Sequence, residues 1–367
     1  MSFENGTVTF SIFEISGTIP EDAPALFAAR KAGTLDSVSS DPEAEPQIGW
    51  VSGRHLLDTS LDEASVCCGH LLHVQLRSAR RRMPSALLNA ICRRDELAHM
   101  EANQLDHLSS KKRKEIKTAA IERFLPKMTP ALSAIPAIID THNNLLYLGT
   151  TSPTQIELFT EYFHAALGLD FLQWTPALML DRHFQTAEAA FPSISYSGAH
   201  DEEPVIGRDF LTWLWYFSEV EGKITCDQDG EFDLLIEGPL TFLDSSEASG
   251  AEETVIKKGN HPQCSAEAKS ALLTGKKLKK AKFQLARDPE IWSGVFDADR
   301  FSFGSLKLPE GEAQDPMERL IERVEFLGLF KTAMEEYFKR FASDMLGAEA
   351  PAKMQALRTW AAERDAK

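Results

Sequence analysis

The sequence predicts an α+β fold, with mixed or antiparallel sheets and an α-helical hairpin inserted into its first half. Three observations predict it. Segments with strand character stand on both sides of a stretch, Pro84–Leu125, whose apolar positions follow a helical period. Thr141-His142-Asn143-Asn144, between the apolar runs Ile135–Asp140 and Leu145–Thr150, is a β-hairpin turn signal. In the second half, strand-like segments run in series between two helical ones.

In order, Val8–Ile15 alternates as a strand and Ala23–Ala32 reads as a short helix. A loop rich in Ser, Asp, Glu and Pro, Thr34–Gln47, leads to Gly49-Trp50-Val51, and Val66–Leu76 has the apolar character of a mostly buried strand. The period then changes. Leu87, Leu88, Ile91, Leu97, Ala98, Leu105 and Leu108 place a helix over Pro84–His107, with Pro84 suited to a first turn. Ser109-Ser110 is the break and N-cap of a second helix, Lys111–Leu125, which buries Ile116, Ala119, Ala120 and Phe124 and stops at Pro126. So short a turn makes the two helices an antiparallel hairpin, a finger. After the β-hairpin come a helix over Pro153–Leu167 and a strand around Phe171–Leu180.

Ala190–Glu203 has linker composition. Arg208–Glu219 is an aromatic-rich helix with Phe210, Trp213, Trp215 and Phe217, followed by strands over Lys223–Asp227, Glu231–Phe242 and Thr254–Lys258. Ser245–Glu253 is an acidic loop, and a short helix over Ser265–Leu273 ends at Gly275. Lys277–Leu285, Trp292–Phe296 and Phe301–Leu308 complete the strands. In the last long helix, Asp315–Leu346, Met317, Leu320, Val324, Leu327, Met334, Phe338, Phe341 and Met345 step by three and four, with a gap after Leu327 filled by Phe330 or Lys331. That seam serves equally a core-facing helix or a helix–helix dimer contact. Ala348–Lys367 reads as a fraying helical tail.

These elements divide the chain into a central α+β domain (residues 1–78 and 131–200), a helical insertion (79–130), a base α+β domain (201–346) and a tail (347–367). A length of 367 residues allows such units their own cores. No apolar run has the length of a membrane-spanning helix, and Met1-Ser2-Phe3-Glu4-Asn5 lacks the features of a signal peptide, so a cytoplasmic protein is expected. The five cysteines, odd in number and without a CxxC pair, are read as buried reduced thiols.

Charge is segregated. Formal net charge is −16, yet His70–Lys127 holds 13 Lys/Arg against 6 Asp/Glu, and Val255–Arg287 holds 9 against 1. Such a chain is acidic toward solvent and basic toward an anion, of which a nucleic-acid backbone is the obvious one. In the first stretch, the candidates for phosphate contact are Arg80, Arg81, Arg82, Arg93, Arg94, Lys111, Lys112, Arg113, Lys114, Lys117 and Lys127, all expected on the finger. Lys111–Lys114 begin a helix, where positive charge opposes the dipole at up to ~0.3–1 kcal/mol each, so something other than folding favours them. In the second stretch, the candidates are Lys257, Lys258, Lys276, Lys277, Lys279, Lys280 and Lys282. Along Lys277–Leu285, Ala281, Phe283 and Leu285 point one way while Lys280, Lys282 and Gln284 point the other, setting amines about 6–7 Å apart like successive phosphates. A finger and a sheet face suit backbone tracking without base readout, and no recognition helix, zinc finger or RNP motif is present.

Catalytic patterns are sparse. There is no P-loop and no nucleophile elbow. Asp297 and Asp299, spaced DxD, fit the start of a two-metal nuclease site or an ordinary turn between strands, and the turn is the preferred reading. Asp233 and Glu237 share a strand face without the lysine that a restriction-type nuclease motif needs. His70 and His73 on one strand, and His99 and His107 two helical turns apart, are weak metal pairs. No enzymatic activity, cofactor or metal is expected. The alternatives are a metal-dependent DNA exonuclease and an acidic scaffold that binds protein partners.

Several blocks resemble the bacterial recombination-associated RdgC family. They are Gly49-Trp50-Val51, the hairpin Pro84–Pro126 ending in Phe124-Leu125-Pro126-Lys127, Ile139-Asp140-Thr141-His142-Asn143-Asn144-Leu145-Leu146, Leu273-Thr274-Gly275-Lys276-Lys277-Leu278 and Gly304-Ser305-Leu306-Lys307-Leu308. The resemblance implies a homodimer closed into a ring whose basic inner surface encircles duplex DNA without sequence specificity. It also implies association with the nucleoid and restraint of RecA-promoted recombination. The family's exonuclease label has no motif behind it here. This chain is longer than familiar members, with the acidic insertion near Ser245–Glu253 and an extended tail, and Met128-Thr129 stand where those members often carry an aromatic after the Leu-Pro-basic step.

Overall fold

The structure is a computed structural model and describes residues 3–197, 205–227, 229–244, 252–257 and 262–364. The first half contains β1 (Val8–Ser16), α1 (Ala23–Ala28), β2 (Gln47–Ser52), α2 (Glu63–Val66), β3 (Cys67–Cys68), β4 (Leu71–Arg81), α3 (Ser85–Ala102) and α4 (Ser110–Phe124). It continues with β5 (Pro130–Asp140), β6 (Leu145–Leu148), α5 (Pro153–Leu167), β7 (Asp170–Gln173) and α6 (Pro176–Phe184). The second half contains α7 (Ile206–Val220), β8 (Lys223–Cys226), β9 (Gly230–Leu243), β10 (Glu253–Ile256), α8 (Ala266–Leu273), β11 (Lys277–Arg287), β12 (Glu290–Asp297), β13 (Ser302–Lys307), α9 (Pro316–Leu346) and α10 (Ala350–Glu363).

The strands form one large sheet in the order β10-β9-β11-β12-β13-β1-β6-β5-β4-β2, and each of these neighbours is antiparallel. β1 is the joint. Val8 and Phe10 pair with Leu306 and Phe303 of β13, whereas Ser11–Glu14 pair with Leu148–Leu145 of β6. The mixed α/β class with antiparallel strands therefore holds. Two apolar clusters back the sheet. The larger joins β9, β11, β12 and β13 to α7 and α9 through Phe283, Trp292, Phe303, Trp213, Phe330 and Phe338, among others. The smaller packs Phe13, Trp50, Val74 and Leu146 against Phe27 of α1 and Phe159 and Phe163 of α5.

Several elements differ from expectation. α1 stops at Ala28 because the chain beyond it bonds to β2: Trp50 N donates to Arg30 O and Ala32 N to Trp50 O. Val66 closes α2, Gly69 turns the chain at φ 63°, and the strand then runs from Leu71 to Arg81. Lying between β2 and β5, β4 keeps its ladder through polar residues that an apolar pattern does not flag. The expected strand over 171–180 is strand only to Gln173. Thr175 Oγ1 accepts from Leu178 N at 3.3 Å and starts α6. The α9 seam, left open between core and dimer contact, lies in the chain's own core: Leu320, Val324, Leu327, Met334, Phe338, Phe341 and Met345 are buried, and Met317 alone is exposed. The tail is not frayed over its described length, because Leu357 and Ala361 of α10 are buried and Arg364 lies over the rings of Trp215 and Trp360. Of the five cysteines, all free, only Cys226 is fully buried.

Candidate nucleic-acid interface

β4 and β5 pair along their full lengths, as far as Arg81 opposite Pro130, and α3 and α4 form the connection between them. Ser109 caps α4, its hydroxyl accepting from Lys112 N at 3.2 Å. Asp95 of α3 ties the helices together, bonded to Arg94 and, across the pair, to Arg123 Nη2 at 2.8 Å. The Arg94 hydrogen bond and the Arg123 charge hold its carboxyl below the usual value. The helices bury only Ile91 and Ala120. Ala119, Leu87 and Leu97, expected to face a core, are exposed, and Ile116 and Phe124 are half-buried. With two short helices packed mainly on each other, each has one shallow sheltered side.

That arrangement leaves the bases of α4 at the surface. Lys111, Arg113, Lys114 and Lys117 are exposed, and among the described residues no carboxylate forms an ion pair with them. Lys112 pairs with Glu115 at 3.2 Å. Arg93 and Arg94, exposed on α3, face Glu96 and Asp95. Lys127 is exposed with its amine 5.5 Å from the Phe124 ring centre.

Arg80 and Arg81 do not belong to this helical element, contrary to expectation. They end β4 and fasten loops: Arg80 Nη2 donates to Pro42 O at 2.7 Å, and Arg81 donates to Val38 O at 3.1 Å and to Met128 O. Arg82 follows them, exposed. Arg77, which the charge pattern did not single out, is fully buried, has no carboxylate partner among the described residues, and donates to the carbonyls of Gly33 and Leu56. Burial lowers its affinity for its proton. These three guanidiniums lace the acidic 34–47 loop and its flanks to the strand.

The second basic stretch is divided. On β11, Ala281, Phe283 and Leu285 are buried, and Lys280, Lys282 and Gln284 face outward as expected. Each amine meets a carboxylate from a neighbouring strand: Lys282 Nζ lies 2.8 Å from Glu237 of β9, and Lys280 Nζ 3.2 Å from Asp297 of β12. Lys279 is half-buried, 4.0 Å from Asp299. Lys276 and Lys277 are corrections to the expected interface. Lys277 is 1% exposed and pairs at 2.7 Å with Asp209 of α7, itself fully buried, while Lys276 donates to Thr254 Oγ1 at 2.8 Å under β10. An amine inside the core is out of reach of an external phosphate. Lys257 is exposed beyond β10, and Lys258 lies outside the described residues.

The candidate catalytic groups do not converge. Asp299 is held by the fork of Arg208 at 2.6 and 2.9 Å, and Asp297 caps the β12–β13 turn, accepting from Arg300 N. His73 is buried, and desolvation, helped by the Arg54 charge, pushes its pKa down to about 4, so its 3.8 Å approach to Glu4 joins a neutral imidazole to a carboxylate. His70 stacks on His142 with ring centres 4.5 Å apart. α3 ends at Ala102, so His99 and His107 are not two turns of one helix. No group of three His, Cys, Asp or Glu able to hold a metal occurs among the described residues.

A family model described as "Putative exonuclease, RdgC" matches residues 30–178. This region is an RdgC-family domain. The RdgC match takes in β2 to β7 and therefore the whole α3–α4 pair with its exposed amines, while β11 lies beyond it. No curated protein matches the chain. No helix is long and apolar enough to cross a membrane among the described residues.

Proposed function

We propose that the protein binds duplex DNA through its phosphate backbone, without reading sequence, and that α4 makes the principal contact. The observation that carries this reading is the cluster of exposed bases Lys111, Arg113, Lys114 and Lys117 on α4, without ion-pair partners among the described residues, the first of them at the start of a helix whose dipole they oppose. Neither folding nor internal ion pairing accounts for them. The RdgC-family match over the same residues supports a recombination-associated, DNA-binding role.

We extend the reading to a homodimer that rings the duplex, works in the nucleoid and limits RecA access to DNA, with no catalytic step of its own. A chain of net charge −16 is repelled by DNA at long range, so its basic surfaces work best facing one another across a concave site, which two-fold symmetry provides. The dimer contact then lies elsewhere than the α9 seam, which the chain's own core occupies. Gel retardation of duplex DNA over a salt series, with and without Mg²⁺, tests the reading. If about 6–8 phosphates are engaged, log K falls with log[salt] at a slope of roughly −5 to −7. A slope shallower than about −2 removes phosphate tracking, and Mg²⁺-dependent shortening of the DNA establishes a nuclease instead.

A further inference from the structure

We infer that Glu237 and Asp297 are resident competitors of DNA phosphate on the sheet face, holding the amines of Lys282 and Lys280 in reserve. This rests on the DNA-binding reading above and adds a regulation to it. In the ladder, Lys282 stands opposite Glu237 on β9 and Lys280 opposite Asp297 on β12, so the pairing is set by strand register. Glu237 is also fixed on its other oxygen, which accepts from Gln284 Nε2 at 3.0 Å. Lys111, Arg113, Lys114 and Lys117 of α4 have no such partners among the described residues. A phosphate arriving at α4 displaces loosely held counterions, and their release drives binding and makes it salt-sensitive. A phosphate arriving at Lys282 must displace a carboxylate that stays beside it. Release of salt ions contributes little there, and the stranded carboxylate repels the newcomer. Exposed ion pairs are weak enough to be exchanged once DNA is already held close. The sheet face is therefore a second, latent contact, and its two acids set how tightly and how reversibly the protein grips.

The experiment compares duplex binding by the full chain with that of Glu237→Gln/Asp297→Asn, a pair of isosteric changes that keep the acceptors needed by Gln284 Nε2 and Arg300 N. Binding tighter by about 5–20-fold at moderate salt, with a salt slope steeper by roughly 1–2, is expected. Adding Lys280→Ala and Lys282→Ala cancels the gain. A control pair, Glu157→Gln/Glu161→Gln on α5, makes the same change in net charge and leaves affinity unaltered. Unchanged affinity and slope in E237Q/D297N overturn the inference, as does an equal gain in the control. In either case the DNA-binding reading stands if neutralising Lys111, Arg113, Lys114 and Lys117 still abolishes retardation. A wild-type protein that fails to retard duplex DNA overturns both.

Discussion

The α3–α4 pair and the β9–β11–β12 face carry similar basic runs along the chain and very different charge in space. On α4, the neighbours of Lys111 three and four residues away, Lys114 and Glu115, come from the same short stretch of sequence, in which bases outnumber acids, so Lys111, Lys114 and Lys117 stay crowded together. On β11, the neighbours of Lys280 and Lys282 come from other strands, and these supply Asp297 and Glu237. A helix preserves the charge pattern of its sequence, whereas a sheet interleaves it with remote segments. A basic run is thus a stronger sign of a basic surface when it is helical.

The sheet face depends on what lies behind it, whereas the helical pair buries only Ile91 and Ala120. Phe283 of β11 stacks on Phe330 of α9, and Phe338 of α9 packs edge-on against Phe210 of α7. Truncating Val324 and Phe338 together to Ala is expected to cost more than about 4 kcal/mol and to unfold the second half. Denaturant unfolding with light scattering checks this. A folded monomer with an unchanged unfolding midpoint breaks the contrast, because it returns the α9 seam to the surface.

The next largest effect belongs to Lys277, the basic residue of β11 that faces the core. Lys277→Met leaves the fully buried Asp209 without its cation and is expected to cost about 3–5 kcal/mol, with most of it recovered in Lys277→Met/Asp209→Leu. Urea midpoints for the two variants measure it. Normal stability with weakened DNA binding places Lys277 on the interface after all.

The smallest change in stability is expected on α4. Reversing Lys112 and Arg113 to Glu suits the helix dipole, so thermal stability holds or rises by about 0.3–1 kcal/mol, while DNA affinity falls. Thermal melts beside retardation assays give both numbers. Lower stability with unaltered binding makes these residues structural and erases the difference between the regions.

Much of this was legible in the sequence. The two helices, the Ser109 cap, the turn at Asn144 and the alternation of β11 are local, set by capping, turn chemistry and period. What escaped reading is contact between remote segments. Nothing near Lys277 announces Asp209, nothing near Lys282 announces Glu237, and the run Arg80-Arg81-Arg82 gives no hint that two of its members fasten a loop about forty residues upstream. The α9 seam was ambiguous for a related reason: a stripe of apolar residues demands burial but does not say against which surface.

Because Arg81 and Pro130 sit side by side in the ladder, the two ends of the α3–α4 connection are held as neighbours by the strands and not by the helices. The sheet closes the gap, so the insert is a cassette clipped to a finished frame. One matched turn added to or removed from both helices changes its length by about 5.4 Å and leaves the frame untouched. Selection can therefore change the length of the basic helical pair in discrete steps, at little risk to the strands that carry it.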